Sequence, residues 1–339
     1  VSIFYTEDEL VSIVDEVYEN QTREYRGVRI PHLAKLDGAI LGLNTGLYYL
    51  WAGMSRSGKT TLLIQMMFSV LYGSLQKNAL DNVQYVYFEL EINKNMLIAK
   101  FTSLAIFILS KGEWSISVPK LLKFGNVGLS DNQMQIVEKY AHLIDPMLNR
   151  IRFVKKRTVN TTAKFIGECE SILDRNGENI TTLFAIDHIG KLCSSKKERM
   201  DEVSDAIVDL KNEYSQNAIF NVLQQANRSM YGTDRRKLDG TNIGFQPDDL
   251  KGTGNTMEDC DVCIAIHNPY ELKDQTMMDG FELSRCSNGI RRMDFIKSRY
   301  GATYSIIFFM AGGTYIYELG TPSDEEYSNI HKLNLTWQT

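Results

Sequence analysis

No apolar run in this 339-residue chain approaches the roughly 18 to 20 residues that a membrane-crossing helix needs. The first ten residues also lack the basic region of a secretory leader, carrying Glu7, Asp8 and Glu9 instead. No secretory or membrane route is indicated, so the triplet Asn160-Thr161-Thr162 carries no meaning as a glycan acceptor. Cysteine is scarce: five residues, an odd number without framework spacing, fit a reducing compartment better than a disulfide scaffold. Cys169, Cys193 and Cys286 are expected to be unpaired thiols. Cys260-Asp261-Val262-Cys263 has the C-x-x-C form, but no second Cys or His pair stands at zinc-site spacing; both sulfurs are read as small core side chains on a strand. The five histidines are scattered and form no ligand cluster. A formal net charge of −5 argues against a surface coated in basic residues, yet leaves room for a local basic groove. Repeats and low-complexity tracts are also lacking.

What is present is an ordinary globular composition, 43% hydrophobic, sufficient for one large core or two modest ones. The chain begins at Val1, not Met, so we expect that a portion preceding it has been removed. Residues 1–26 stand apart. Thr6-Glu7-Asp8-Glu9 has the form of a capping box, and Leu10, Ile13, Val14 and Val17 recur at helical spacing. This linker helix needs a partner for its apolar stripe, either its own domain or a neighbouring copy. Residues 27–339 are expected to form one domain. In it, strand-like runs at 47–52, 83–91, 150–156, 182–187, 218–225 and 260–267 alternate with helical segments, the pattern of a mostly parallel α/β sheet with helices on both faces. Runs at 294–297, 303–310 and 315–319 read as an antiparallel extension. Three polar stretches poor in periodic apolar residues, 193–199, 229–250 and 269–285, are expected to be mobile loops.

One motif is specific. Gly53-Met54-Ser55-Arg56-Ser57-Gly58-Lys59-Thr60 fits G-x-x-x-x-G-K-[ST], follows an apolar strand and opens the helical run that starts at Thr61. A chance match rarely supplies both flanks. In such a strand-loop-helix the backbone N–H groups and the helix N-terminus cradle phosphates, Lys59 reaches the terminal phosphates, and Thr60 ligates Mg²⁺.

A cradle alone serves many enzymes, so the strand ends must decide. Asp187 closes an apolar strand, where a carboxylate holds Mg²⁺ through water. Glu89 and Glu91 end another strand two residues apart, hence on one face, and either could polarise the attacking water. Gln224-Gln225 ends a third and offers an amide to the γ-phosphate. Lys297 and Arg299 put two cations on one strand face.

The order of these segments resembles the motor domain of DnaB-type replicative DNA helicases, a ring-forming RecA-like group, and is similar to the helicase part of phage primase-helicases. Leu36-Asp37 with Gly42-Leu43 looks like the entry segment of that family. Phe88-Glu89-Leu90-Glu91 is similar to its F-S-L-E, which assigns the catalytic carboxylate to Glu91 and leaves Glu89 in reserve. Gln225-Ala226-Asn227-Arg228 resembles Q-L-N-R and makes Gln225 the γ-phosphate sensor. Asp249-Leu250-Lys251-Gly252-Thr253-Gly254 resembles the D-L-R-E-S-G channel loop, which implies that Lys251, Gly252, Thr253 and Gly254 hold a single DNA strand. Lys251 stands for an arginine there and Gly252 for a glutamate. Lys297-Ser298-Arg299-Tyr300-Gly301 is similar to K-Q-R-N-G, whose arginine reaches the ATP of the adjacent subunit.

The resemblance implies an ATP- and Mg²⁺-dependent helicase working as a homo-oligomeric ring, a hexamer, on single-stranded DNA. A primase and a helicase loader are its implied partners, in the bacterial cytoplasm or that of a phage host. A RecA-like recombinase or a regulatory ATPase without unwinding is the alternative; the glutamine sensor, the channel-type loop and the late Lys-x-Arg favour the helicase. An inactive assembly platform is disfavoured by intact Lys59, Thr60, Glu91 and Asp187.

Overall fold

The strand-like runs pair into one nine-stranded sheet among the described residues, and its order places the phosphate cradle near the middle. The computed structural model describes residues 27–192, 197–226, 245, 249, 255–271, 276–299 and 304–337. The expected helix within 1–26, Cys193, Asn227, Arg228, Tyr300, Gly301 and the channel-loop residues Lys251, Gly252, Thr253 and Gly254 lie outside them, as do residues 193–196 of the expected loop 193–199 and residues 229–244, 246–248 and 250 of the expected loop 229–250.

The strands are β1 (Leu47–Gly53), β2 (Val83–Glu89), β3 (Ile151–Lys155), β4 (Thr181–Asp187), β5 (Ala218–Gln225) and β6 (Val262–His267), a short β7 (Met277–Met278) and β8 (Phe281–Glu282), then β9 (Ile290–Ser298), β10 (Ser305–Ala311) and β11 (Tyr315–Glu318). The sheet runs β11-β10-β9-β6-β1-β5-β4-β2-β3. Pairings from β6 to β3 are parallel, whereas β6–β9, β9–β10 and β10–β11 are antiparallel. Both the parallel body and the antiparallel extension agree with the sequence pattern.

Alternation along β1 builds two cores at once. Tyr49 and Trp51 face one cluster, covered by helices α1 (Ala34–Ile40), α2 (Lys59–Gln76), α3 (Lys94–Leu109) and α4 (Asp131–Leu148). Tyr48, Leu50 and Ala52 face the other, covered by α5 (Thr162–Asn176) and α6 (Lys197–Glu213). A strand buried on both faces has no polar positions to spare, which is why these runs are continuously apolar. Trp51 Nε1 still finds a partner, donating to Asn221 Oδ1 at 3.1 Å. In the entry segment, buried Asp37 accepts from the Ile30 N–H at 2.7 Å. Cys169, Cys260, Cys263 and Cys286 are buried free thiols.

The antiparallel extension is fastened to the cradle helix. Buried Gln65 of α2 donates to the Ile316 carbonyl at 2.8 Å and accepts from the Ile316 N–H at 2.7 Å. Thr61 Oγ1 donates to the Gly313 carbonyl at 2.9 Å. Gly312 and Gly313, at φ 56° and 67°, make the β10–β11 turn.

Two expectations require correction. The stretch 269–285 is not a featureless loop where it is described. Asp279 and Gly280, at φ 46° and 85°, form the tight turn of the β7–β8 hairpin, and Met278, Phe281, Leu283 and Cys286 build a third core with Phe309 and Ile330 of the final helix α7 (Asp324–Thr336). The Asp-Gly pair was the available signal. The strand expected at 83–91 stops at Glu89, where the Leu90 N–H turns back to the Phe88 carbonyl at 2.8 Å. Pleat alternation ends there, so Glu89 and Glu91 do not share a strand face.

Gly289 makes the closest packing in this extension: a Cβ added there would stand 2.0 Å from the ring of Phe309, itself buried. Gly289→Ala is therefore expected to destabilise the chain by about 1–3 kcal/mol, the usual cost of overpacking a core. A denaturant melt reads this, and an unchanged midpoint would show that the ring can retreat.

Candidate active site

Four parallel strands end around one cavity of about 290 Å³. The loop after β1 supplies Ser55, Arg56, Ser57 and Gly58, and the first turn of α2 supplies Lys59, Thr60 and Thr61. Glu91 comes from beyond β2, Asp187 and His188 from the end of β4, and Gln225 from the end of β5. Such a crevice at the carboxyl ends of parallel strands is where open α/β sheets hold ligands.

The loop bends through Arg56 at φ 61° and Gly58 at φ 104°. Gly58 is the N-cap of an 18-residue helix with no side-chain cap, so the first N–H groups of α2 are left for an anion. Lys59 Nζ donates to the Gly53 and Met54 carbonyls, each at 2.7 Å, arching over the loop. Burial pulls the pKa of Lys59 down to about 8, against the opposing pull of Asp187 and Glu91. Lys59 thus remains mostly cationic at neutral pH.

Thr60 Oγ1 donates to Asp187 Oδ2 at 2.8 Å. Burial pushes the Asp187 carboxyl up to about 6, and the hydrogen bond from Thr60 opposes it. A hydroxyl beside a buried, desolvated carboxylate is an oxygen donor set that suits a hard divalent cation. Mg²⁺ is commonly held by one or two protein oxygens together with phosphate and water, and this pair is such a set.

Glu91 is half exposed, so water reaches it; its Oε2 stands 3.9 Å from His188 Nε2. Burial lowers the His188 pKa. Glu89 is occupied elsewhere, its Oε2 accepting from the Lys94 N–H at 2.9 Å at the start of α3. Gln225 lines the cavity, whereas Gln224 is buried.

Sequence reasoning missed Lys100, Met310 and Gly313, which also line the cavity, and gave His188 no role. Lys100 reaches in from α3 and Met310 and Gly313 from the antiparallel extension. Nothing local in the sequence marks them, because packing over long separations brings them there.

Lys297 and Arg299 are not in this cavity. Because β9 runs antiparallel to β6, Arg299 lies at the opposite end of the sheet. Its N–H donates to the Asp261 carbonyl, and the Asp261 N–H to the Tyr48 carbonyl, five residues before Gly53 on β1. At about 3.3 Å per residue this puts Arg299 roughly 16 Å below the cradle of its own chain.

A phosphate cradle opening a helix, a glutamine at the end of the neighbouring strand and a carboxylate at the end of the strand beyond it define a P-loop nucleoside triphosphatase built on a RecA-like sheet. A family model for the DnaB-like helicase C-terminal domain matches residues 29–315, and the chain belongs to that family. Among solved structures it is similar to a DnaB-like replicative helicase studied with its interactions with primase, at 16% identity and a TM-score of 0.65, over 91% of this chain and 65% of that one. It is also similar to a second solved structure, an ATPase domain, at 15% identity and a TM-score of 0.69, over 94% of this chain and all of that one. At such identities the likeness is one of fold. No curated protein matches the chain. Among the described residues no helix is long and apolar enough to cross a membrane.

Proposed function

We propose that the chain is the motor of a replicative DNA helicase, hydrolysing ATP between subunits of a homo-oligomeric ring, a hexamer, that encircles one DNA strand. The observation carrying this reading is a separation: Lys59, Thr60, Glu91, Asp187 and Gln225 converge on one cavity, while Lys297 and Arg299 stand at the far end of the same sheet. In this reading a second copy brings those cations to the phosphates.

In this mechanism the α2 N-terminus and Lys59 hold the phosphates. Thr60 and Asp187 would hold Mg²⁺, which neutralises phosphate charge when bound. Glu91 orients and polarises the attacking water, and Gln225 contacts the γ-phosphate and passes its presence along β5. Arg299 of the neighbouring copy, with Lys297, stabilises the charge of the transition state. Lys100, facing the same cavity, adds a further cation on the phosphate side.

Lys251, Gly252, Thr253 and Gly254 are assigned to the DNA strand. Contacts of a lysine and backbone N–H groups with phosphate read no bases, so binding is sequence-tolerant and salt-sensitive. Lys251→Ala is expected to weaken single-strand binding uniformly across sequences and to reduce the salt slope by about 0.7, while basal ATP turnover stays largely intact. Fluorescence anisotropy over a salt series measures both; an unchanged slope would remove Lys251 from the interface. Unwinding of a forked duplex tests the whole reading. ATP turnover stimulated by DNA without strand separation would leave a translocating or recombinase-like ATPase.

A primase and a loader are the proposed partners, primase first, since the similar replicative helicase was studied with one. The proposed site of action is the cytoplasm of a bacterium, or of a phage host.

A further inference from the structure

Arg299 is rooted on its own subunit. Its guanidinium Nη1 stands 3.4 Å from Asp261 Oδ1, and its N–H donates to the Asp261 carbonyl at 3.1 Å. The other carboxylate oxygen, Oδ2, accepts from the Tyr48 N–H at 2.8 Å and from Lys211 Nζ of α6. The Asp261 side chain is 2% exposed and that of Arg299 51%, so an anchor fixed in the protein body carries a cation that reaches the surface. Lys297 is seated on the same short segment, its Nζ donating to the Met257 carbonyl at 3.0 Å and the Glu258 carbonyl at 2.5 Å.

A buried carboxylate is retained only when it is paired and hydrogen-bonded. Asp261 has a lysine and a backbone N–H on one oxygen, which leaves the other turned toward Arg299. Engaging that oxygen through one nitrogen leaves further N–H donors of the planar guanidinium for a phosphate. A long side chain otherwise samples many rotamers, and an unanchored guanidinium would meet a neighbouring phosphate only part of the time.

We propose that Asp261 is a positioning residue for Arg299, aiming its guanidinium at the phosphates bound by the next subunit while Lys211 holds the carboxylate in place. This rests on the assignment of Arg299 to the neighbour's site. Asp261 itself touches no nucleotide.

Asp261→Asn alone would strand the Lys211 cation in the interior and can fail to fold, so the test pairs Asp261→Asn with Lys211→Met, removing both charges. DNA-stimulated ATP turnover of the assembled protein is expected to fall in kcat by about 10- to 100-fold, the cost of misaiming a group by about an ångström, with KM for ATP nearly unchanged. In an Arg299→Ala background the same pair should cause no further loss. Unchanged kcat, or an equal additional loss without the arginine, would overturn the proposal, since the second outcome describes a merely structural role. Asp261→Glu keeps the buried charge pair and moves the carboxylate by one methylene; it is expected to lower kcat by about tenfold at constant KM, and wild-type kcat from it would also overturn the proposal. If Arg299→Ala alone leaves kcat intact, the assignment across the interface fails and the inference falls with it. If Arg299→Ala is inactive but both Asp261 variants are not, only the inference fails.

Discussion

Lys59→Ala is expected to lower ATP turnover at least about 10³-fold, with or without DNA, while the chain stays folded. Lys59 is the cation of the cradle, with Nζ on the Gly53 and Met54 carbonyls and a pKa brought down to about 8 by burial. Placed there, it meets negative charge in a site where little water competes, and losing such a donor costs most where charge develops. The fold should tolerate the change, because a desolvated cation is removed and its two backbone acceptors keep other donors, the Ala226 N–H at 3.1 Å on the Gly53 carbonyl and the Ser57 N–H at 3.3 Å on the Met54 carbonyl. Steady-state turnover together with a thermal melt separates the effects. A large fall in melting temperature would assign Lys59 a structural role instead.

Arg299→Ala is expected to cost between about 10³- and 10⁵-fold in kcat, the range for a cation supplied across an interface to a phosphoryl-transfer site. Nucleotide affinity of the unassembled chain should not change, because Arg299 lies roughly 16 Å from its own cradle. Loss of turnover in the assembly with unchanged affinity in single chains is the signature of action in trans. Weakened nucleotide binding by single chains would mean that Arg299 reaches its own site, contrary to the antiparallel placement of β9.

The parts of the site legible in the sequence share one property: each sits at the end of an apolar run that pattern alone identifies as a strand. The cradle follows β1, Asp187 ends β4 and Gln225 ends β5. The RecA-like sheet was legible for the same reason, because strands buried on both faces are continuously apolar. Glu91 was reached through resemblance rather than pleat geometry. The periodic argument pairing it with Glu89 fails where the backbone turns at Leu90, and Glu89 instead caps the start of α3.

What was not legible is set by long-range packing. Lys100 enters the cavity from the face of a helix, and Met310 and Gly313 arrive on an extension pinned to α2 through Gln65 and Thr61. Asp261 read as part of a C-x-x-C look-alike, and only the register of β6 against β9 discloses its contact with Arg299. The hairpin at Asp279-Gly280 was overlooked because the polar residues around it masked Met278, Phe281 and Leu283, three apolar residues that bury together.

The most direct test of an ATP site completed between copies, and driven by a DNA strand, is ATP turnover by the purified chain with and without single-stranded DNA, on a sample whose mass is read by light scattering. Turnover stimulated by DNA in a particle several times the mass of one chain is the expected result. Full turnover by a monomer, indifferent to DNA, would contradict it.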